Sequence, residues 1–417
     1  MNEPHWFVGF DWASAVHCAR LIDANGNSMR EYTVKHEGGA LGGFYDAVLQ
    51  ATGAKPEEIA IAIETPRGPV VETALERGFQ VFAINPKQLD RFRDRYTVAG
   101  AKDDSRDAEV LGQSLRTDRK AFRRLHGEDP LVIQLREWSR MHDELMQERT
   151  RLANKLRDQL WRYYPQITQL TDDVADDWFL DLWEHVPTPA KAARVTEKSV
   201  ARILAARRIR RVDAAQVLGT LRQPPITVAR GTTEAATAHI RALAERLRLI
   251  NQQVKQGERQ LDQLCDAIEA AAESEPGQIC EQRDVAILRS CPGLGRITLA
   301  TLLAEAHEPL QRRDYHVMRV TSGVAPVSRR SGKSLIVVRR LACNNRLRTA
   351  LYHWARGAMQ KDPASKRQYA RLRARGHKHA RALRSVGDRL LRVLCTLLKR
   401  QEFFDPNHDT PPAQSAV

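Results

Sequence analysis

The sequence predicts an α/β N-terminal domain, a long helical middle with coiled-coil character, and a mostly α C-terminal part. Three observations predict it. Short runs of β-branched and aromatic residues alternate with helical patterns between residues 6 and 115; two charged stretches carry apolar residues at steps of three and four; and the last third sets helical periodicity around Gly-containing turns. The 417 residues exceed one ordinary core at a prior of roughly 150 residues per domain. The expected divisions are 1–125, 126–275, 276–402 and a disordered polar tail, 403–417.

Residues 6–10, Trp-Phe-Val-Gly-Phe, read as a buried strand ending in Asp11. A carboxylate there is costly to bury unless a cation meets it, so Asp11 is a candidate metal ligand; the alternative is a cap for the turn before Ala13 and Ser14. Residues 16–23 read as a second strand and residues 28–35 as a third, joined by a hairpin turn at Asn25-Gly26. A helix follows from about Gly39 to Thr52, with Leu41, Phe44, Val48 and Leu49 on one face. Residues 59–63 form an apolar strand ending in Glu64; a Pro-Gly break, a short helix (70–78) and another buried strand (79–85) come next. An antiparallel meander feeding two parallel strands through helical crossovers is the order of an RNase-H-like fold.

From about Asp104 the pattern Ala108, Leu111, Leu115 is helical, and Asp104 and Asp107 project from one face of its first turn. Two acids so close repel unless a cation lies between them, although a helix N-terminus helps. Capping and first-turn preference explain these two acids, but not Asp11 and Glu64 at strand ends. Four carboxylates around one cleft suit Mg²⁺ or Mn²⁺, hard cations with oxygen ligands, a pair of which ~4 Å apart can polarise a phosphodiester.

In the middle, residues 131–163 lack Gly and Pro and read as one long helix. The seam Ile240, Leu243, Leu247, Ile250, Val254, Gly257, Leu261, Leu264, Ile268 reads as a coiled coil, pairing either with the first helix or with copies from another subunit. Between them lie helical pieces over residues 171–184, 196–208 and 213–221, and a basic cluster at 205–211 that either touches nucleic acid or is merely solvated.

Residues 287–306 have the form helix, Pro-Gly-Leu-Gly turn, helix, as in helix-hairpin-helix elements whose backbone N–H groups hold a DNA phosphate, here through Gly293 and Gly295. Next, residues 320–334 pack serines among basic residues in a loop-like setting. Ser331 sits where a hydroxyl can attack phosphorus while cations offset the developing charge, although such a serine is usually a turn residue. Helices are expected at 347–359 and 380–399.

Lys and Arg number 66 against 51 acids, a formal net charge of +15, which points to a polyanionic partner. Ten Lys/Arg and no acid lie between Tyr315 and Lys361, and eight more, again without an acid, between Lys366 and Arg384. These tracts, with Arg329, Arg330, Lys333, Arg339, Arg340, Arg346 and Arg348 among them, read as phosphate-contacting surface. The six cysteines are scattered without a C-x-x-C pair, which argues against a zinc site or a disulfide framework. No apolar run approaches the roughly 18–20 residues that span a bilayer and the N-terminus lacks a signal pattern, so a cytoplasmic location and no membrane partner are expected.

Asp11, Glu64 and the run Lys102-x-Asp104-x-x-Asp107-Ala108, preceded by Asn85-Pro86, resemble the DEDD, RuvC-like domain of a family of insertion-sequence transposases, some known as bridge-RNA-guided recombinases. Residues 292–295, 323–326, 331–333 and 344–348 resemble the family's C-terminal transposase domain. The resemblance implies that Asp11, Glu64, Asp104 and Asp107 are metal-binding catalytic acids and Ser331 the nucleophile, with Ser328 as fallback. It also implies a coiled coil between the two catalytic parts, which supports an oligomerising role, and a structured guide RNA. Asp103 stands where the family usually has Thr, so Asp104 is preferred on its spacing to Asp107.

The resulting expectation is a DNA recombinase in which Ser331 attacks a phosphodiester with metal assistance, working on double-stranded DNA as a homo-oligomer. The competing readings are a RuvC-like nuclease that uses water, and a non-enzymatic nucleic-acid scaffold. An actin-like ATPase is disfavoured, because no second Gly-rich phosphate loop follows.

Overall fold

The structure, a computed structural model, describes residues 3–96, 103–127, 129–271, 284–331 and 334–406. The chain divides into two compact units, Met1–Asp129 and Pro130–Val417.

The first unit is built on one sheet. Its elements are β1 (Trp6–Asp11), β2 (Val16–Ile22), β3 (Ser28–Lys35), α1 (Gly38–Thr52), β4 (Ile59–Ile63), α2 (Pro69–Glu76), β5 (Gln80–Ala83), α3 (Pro86–Tyr96), α4 (Asp104–Asp118) and β6 (Arg123–Arg124). The order across the sheet is β3-β2-β1-β4-β5-β6. Strands β1–β3 form the expected antiparallel meander, β4 and β5 run parallel to β1, and β6 adds an unexpected antiparallel edge. Every residue of β4 is buried, as a central parallel strand covered on both faces requires. Val8, Phe10, Ile61 and Ile63 pack on one face with Phe44, Tyr45 and Val48 of α1; Phe7, Ala60 and Ala62 pack on the other with Leu111 and Leu115 of α4.

The second unit comprises α5 (Pro130–Tyr163), α6 (Asp177–His185), α7 (Pro189–Ala192), α8 (Glu197–Ala206), α9 (Ala214–Leu221), α10 (Thr232–Ala271), α11 (Asp284–Ser290), α12 (Arg296–Glu305), α13 (His307–Gln311), α14 (Tyr315–Thr321), the hairpin β7 (Val327–Ser331) and β8 (Ser334–Val338), α15 (Asn345–Lys361), α16 (Pro363–Ala374) and α17 (His379–Arg400). Helices α5 and α10 lie antiparallel: Arg149 donates to Asn251 at 2.8 Å, whereas Leu135, earlier in α5, shares a core with Leu261 and Leu264, later in α10. The seam from Ile240 to Leu264 is therefore buried within the chain, with Gly257 beside His142. Its first half packs with α6, α8 and α9, and its second half with α11, α12, α15 and α17.

Three local expectations change. The helix expected from Thr171 starts at Asp177, because the Thr171 hydroxyl accepts from Asp173 N–H and makes a turn first. The basic stretch around Ser331 is not loop-like but a hairpin, in which alternating Val327, Ile336 and Val338 favour strands. Helices α3 and α16 occupy stretches whose density of charge masked their period, and α14, seven residues long, is too short to show one. Residues 407–417 of the expected tail lie outside the described residues.

Candidate functional site

Phe10 of β1 pairs in parallel with Ile63 of β4, so Asp11 and Glu64 leave adjacent strands at the same level. Side chains alternate along a strand, so with Phe10 turned towards α1, Asp11 turns to the opposite face, the one covered by α4. A methyl group on Gly9 would lie 1.7 Å from the Ala108 carbonyl oxygen, and one on Gly112 would lie 3.0 Å from Gly9 N. Glycine at both positions thus lets α4 rest its backbone on β1, which carries the first turn of α4 to the end of that strand. Arg20 of β2 fixes it further, reaching Ser105 at 2.6 Å and Glu31 at 2.7 Å.

The consequence is electrostatic. Asp11 has its pKa pushed up to about 6, first by burial and then by the charges of Asp107, Asp104 and Glu64, with Arg93 opposing. All four acids picked from the sequence therefore share one field, and Asp104 is among the charges that Asp11 feels. Asp103 precedes the helix without a side-chain capping bond. Asp107 is buried and Asp104 exposed, while Asp11 and Glu64 lie between.

Arg93, on α3, grips Asp107 with both arms: its Nε donates at 2.7 Å and its Nη2 at 2.9 Å, while Nη1 donates to Asp90 at 2.6 Å. Burial would lower the Arg93 pKa, but Asp107, Asp90 and Glu64 raise it. With both oxygens of Asp107 engaged, no three acids, histidines or cysteines among the described residues stand at metal-holding spacing. The donor set is nevertheless all oxygen, and at Asp11 the like charges of Asp107, Asp104 and Glu64 outweigh Arg93, which suits a hard divalent cation.

The turn after Asp11 is held by a buried histidine. Ala13 N–H donates to His17 Nδ1 at 3.1 Å, so the His17 proton sits on Nε2 and is donated to His36 Nδ1 at 2.9 Å. Burial, then His36, keep the His17 pKa low. Arg93, His17 and the Gly9–Gly112 contact were not read from the sequence. The available signals were a glycine inside an apolar strand and another on the apolar face of a helix.

In the second unit, Ser331 ends β7 opposite Ser334, exposed. Alternation places Arg329 on its face, and Ser328 and Arg330 on the other. Lys333 lies outside the described residues. Arg329, Arg330 and Arg339 are exposed; Arg340 donates to the Ala325 carbonyl at 3.4 Å. Arg346 pairs with Asp143 at 3.1 Å, and Arg348 approaches the Cys343 sulfur at 3.8 Å.

Gly293 and Gly295 differ in what surrounds them. Gly293 has φ +73°, and a methyl group there would lie 2.2 Å from Ala358 N, so this glycine serves the packing of the turn on α15. Gly295, at the N-cap of α12, opens to space and leaves that helix start accessible. In the basic cluster at 205–211, Arg207 pairs with Asp181 at 2.7 Å, and Arg211 covers the Trp178 ring.

No helix among the described residues is long and apolar enough to cross a membrane. A family model described as a transposase, of DEDD and IS110 type, matches residues 8–165, and one described as the transposase IS116/IS110/IS902 family matches residues 285–370. Among similar proteins, the candidate transposase y4uE of Sinorhizobium fredii is 52% identical over 51% of this chain and 60% of its own length. The candidate mini-circle transposase for IS117 of Streptomyces coelicolor is 31% identical over 99% of this chain and 98% of its own length. An insertion-element IS116 protein of Streptomyces clavuligerus is 26% identical over 96% of each.

Proposed function

The chain belongs to the IS116/IS110/IS902 transposase family, enzymes that act on DNA, and from that premise we propose that it cuts and rejoins DNA with Ser331 as nucleophile beside the four-acid cluster. The observation that carries this reading is geometric: Asp11 and Glu64 end the paired strands β1 and β4, and the Gly9–Gly112 contact brings the first turn of α4, with Asp104 and Asp107, to the same end of the α/β sheet. Mg²⁺ or Mn²⁺ held by Asp11, Glu64, Asp104 and Asp107 would supply charge neutralisation at the scissile phosphate.

In this reading the Ser331 oxygen loses its proton and bonds to phosphorus. The bond to the departing deoxyribose oxygen breaks, that oxygen is protonated, and a phosphoserine link to DNA remains. Attack by a second DNA end reverses the step; the ester energy is conserved and no ATP is needed. Arg329, on the same strand face, offsets the charge that builds on phosphorus. The reaction requires Ser331 of the second unit to be presented to the acids of the first, within one chain or between copies in a homo-oligomer. A structured RNA partner selecting the DNA sites belongs to the same proposal, and sequencing the nucleic acid that copurifies with the protein tests it. The open N-terminus of α12 at Gly295 and the arginines of the hairpin serve as phosphate contacts.

The deciding experiment uses Ser331→Ala and Asp11→Asn with a DNA substrate and a divalent cation. The expected result is loss of the denaturant-resistant DNA adduct in Ser331→Ala and loss of all cutting in Asp11→Asn. If Ser331→Ala continues to cut, water is the nucleophile and the chain is a RuvC-like nuclease.

A further inference from the structure

The second acid-free tract, Lys366–Arg384, has no role in the chemistry above, yet it lines a defined groove. Helices α16 and α17 bound a cavity of 790 Å³, into which Arg367 and Arg371 point from α16 and Arg389 and Arg392 from α17. Arg367 and Arg371 are four apart, hence neighbours on one helix face about one turn from each other.

The acids at this groove are already engaged. Asp388 accepts from Arg319 through both oxygens, at 2.7 and 2.8 Å, and from the Tyr315 hydroxyl at 2.9 Å. Asp362, almost fully buried, caps α16 through Ala364 and Ser365 N–H and takes Arg389 at 2.8 Å. Among the described residues no carboxylate pairs with Arg367, Arg371 or Arg392. Arg392 is held over the Tyr315 ring, 5.4 Å from its centre, with Arg319 also 5.4 Å from that centre. Four arginines on two facing helices share the groove with the Asp388 carboxylate, which is already bonded to Arg319 and Tyr315, so the groove keeps an excess of positive charge for an anion. Arginine forks suit phosphate because they donate two parallel hydrogen bonds.

We propose that the groove between α16 and α17 is a binding site for the phosphodiester backbone of a nucleic acid, with Arg367, Arg371 and Arg392 taking successive phosphates. It rests on the DNA-acting reading and adds to it a surface distinct from Ser331 and its hairpin. The contact is to backbone and so is independent of sequence.

The test uses the full chain and its double variant Arg367→Gln/Arg371→Gln. Binding is measured to fluorescent single-stranded RNA, single-stranded DNA and duplex DNA of arbitrary sequence over a range of salt. An equally neutralised control, Arg202→Gln/Arg241→Gln, changes two exposed arginines elsewhere. The expected result is at least a ~10-fold loss of affinity, with the log–log salt slope shallower by about 1.8 for duplex or about 1.4 for single strands, and little change in the control. Which of the three probes loses most identifies the natural strand. Unchanged affinity and slope for all three, or an equal loss in the control, overturns the groove. A wild-type chain that binds none of the probes overturns both this site and the transposase reading, whereas a wild-type chain that binds them, with the double variant showing the expected loss, but cuts no DNA touches the latter alone.

Discussion

Two places in the molecule bring backbones together through glycine, and they use the contact differently. In the first unit, Gly9 and Gly112 let α4 sit directly on β1, and what arrives with the helix is charge: Asp107 and Asp104 beside Asp11 and Glu64. In the second, Gly293 and Gly357 face each other, a methyl group on Gly357 lying 2.6 Å from the Gly293 carbonyl oxygen, and what is gained is packing, closed by Trp354 Nε1 donating to the Pro292 carbonyl at 3.1 Å. The same device sets an electrostatically costly site in one unit and a core joint in the other. A glycine in a motif is therefore read by what its missing methyl admits.

The sharpest way to break the first half of that comparison is Gly9→Ala. The obstacle is backbone on the opposing helix, so no side chain can move aside, and a loss of about 4 kcal/mol or more is expected. Hydrogen exchange should show protection lost in β1 and α4 and kept in α15. Gly293→Ala comes next. It adds strain at positive φ to the clash with Ala358, for about 3 kcal/mol, with protection lost in α11, α12 and α15 but kept in β1. If either substitution spreads its damage to the other unit's elements, the two contacts are not separate devices.

Arg93→Gln sharpens the electrostatic side. Breaking a buried ion pair costs about 3–5 kcal/mol; Arg93 is 27% exposed, so about 2 kcal/mol is expected in chelator-treated protein, read by chemical denaturation. Added Mn²⁺ should return part of the loss and bind more tightly than to the unaltered chain, since its competitor for Asp107 is gone.

The smallest effect has the opposite sign. Asp11 holds its proton up to about pH 6 in the folded chain against 3.8 when free, so the native state binds more protons between those values. Stability therefore falls as pH rises through that window, and the penalty is complete above it. Without divalent cations, Asp11→Asn should stabilise the chain by about 1–2 kcal/mol at pH 8, after discounting for partial exposure, and by nothing near pH 3.5.

Much of the first unit was legible because strand period, the Asn25-Gly26 turn and the apolar runs all agree, and because carboxylates at strand ends stand out against apolar neighbours. The partner of those acids was not legible. Arg93 sits in a stretch of mixed charge whose helical period is hidden by Asp90, Arg91, Asp94 and Arg95, and nothing local tells which arginine turns inward. Long helices α5 and α10 were plain from their seam, but a seam does not name its partner, and here each is the other's. The hairpin carrying Ser331 was obscured because serines and arginines in Ser328–Arg330 mark a loop by composition, while the strand signal lies in the valines around them.

Asp11, Glu64, Asp104 and Asp107, distant in sequence, are proposed to act as a single divalent-cation site. Titration of Mn²⁺ into the full chain and into Asp11→Asn, Glu64→Gln, Asp104→Asn and Asp107→Asn, followed by electron paramagnetic resonance, tests it most directly. The predicted result is binding that weakens at least ~10-fold in each variant; equal binding by all five proteins would contradict it.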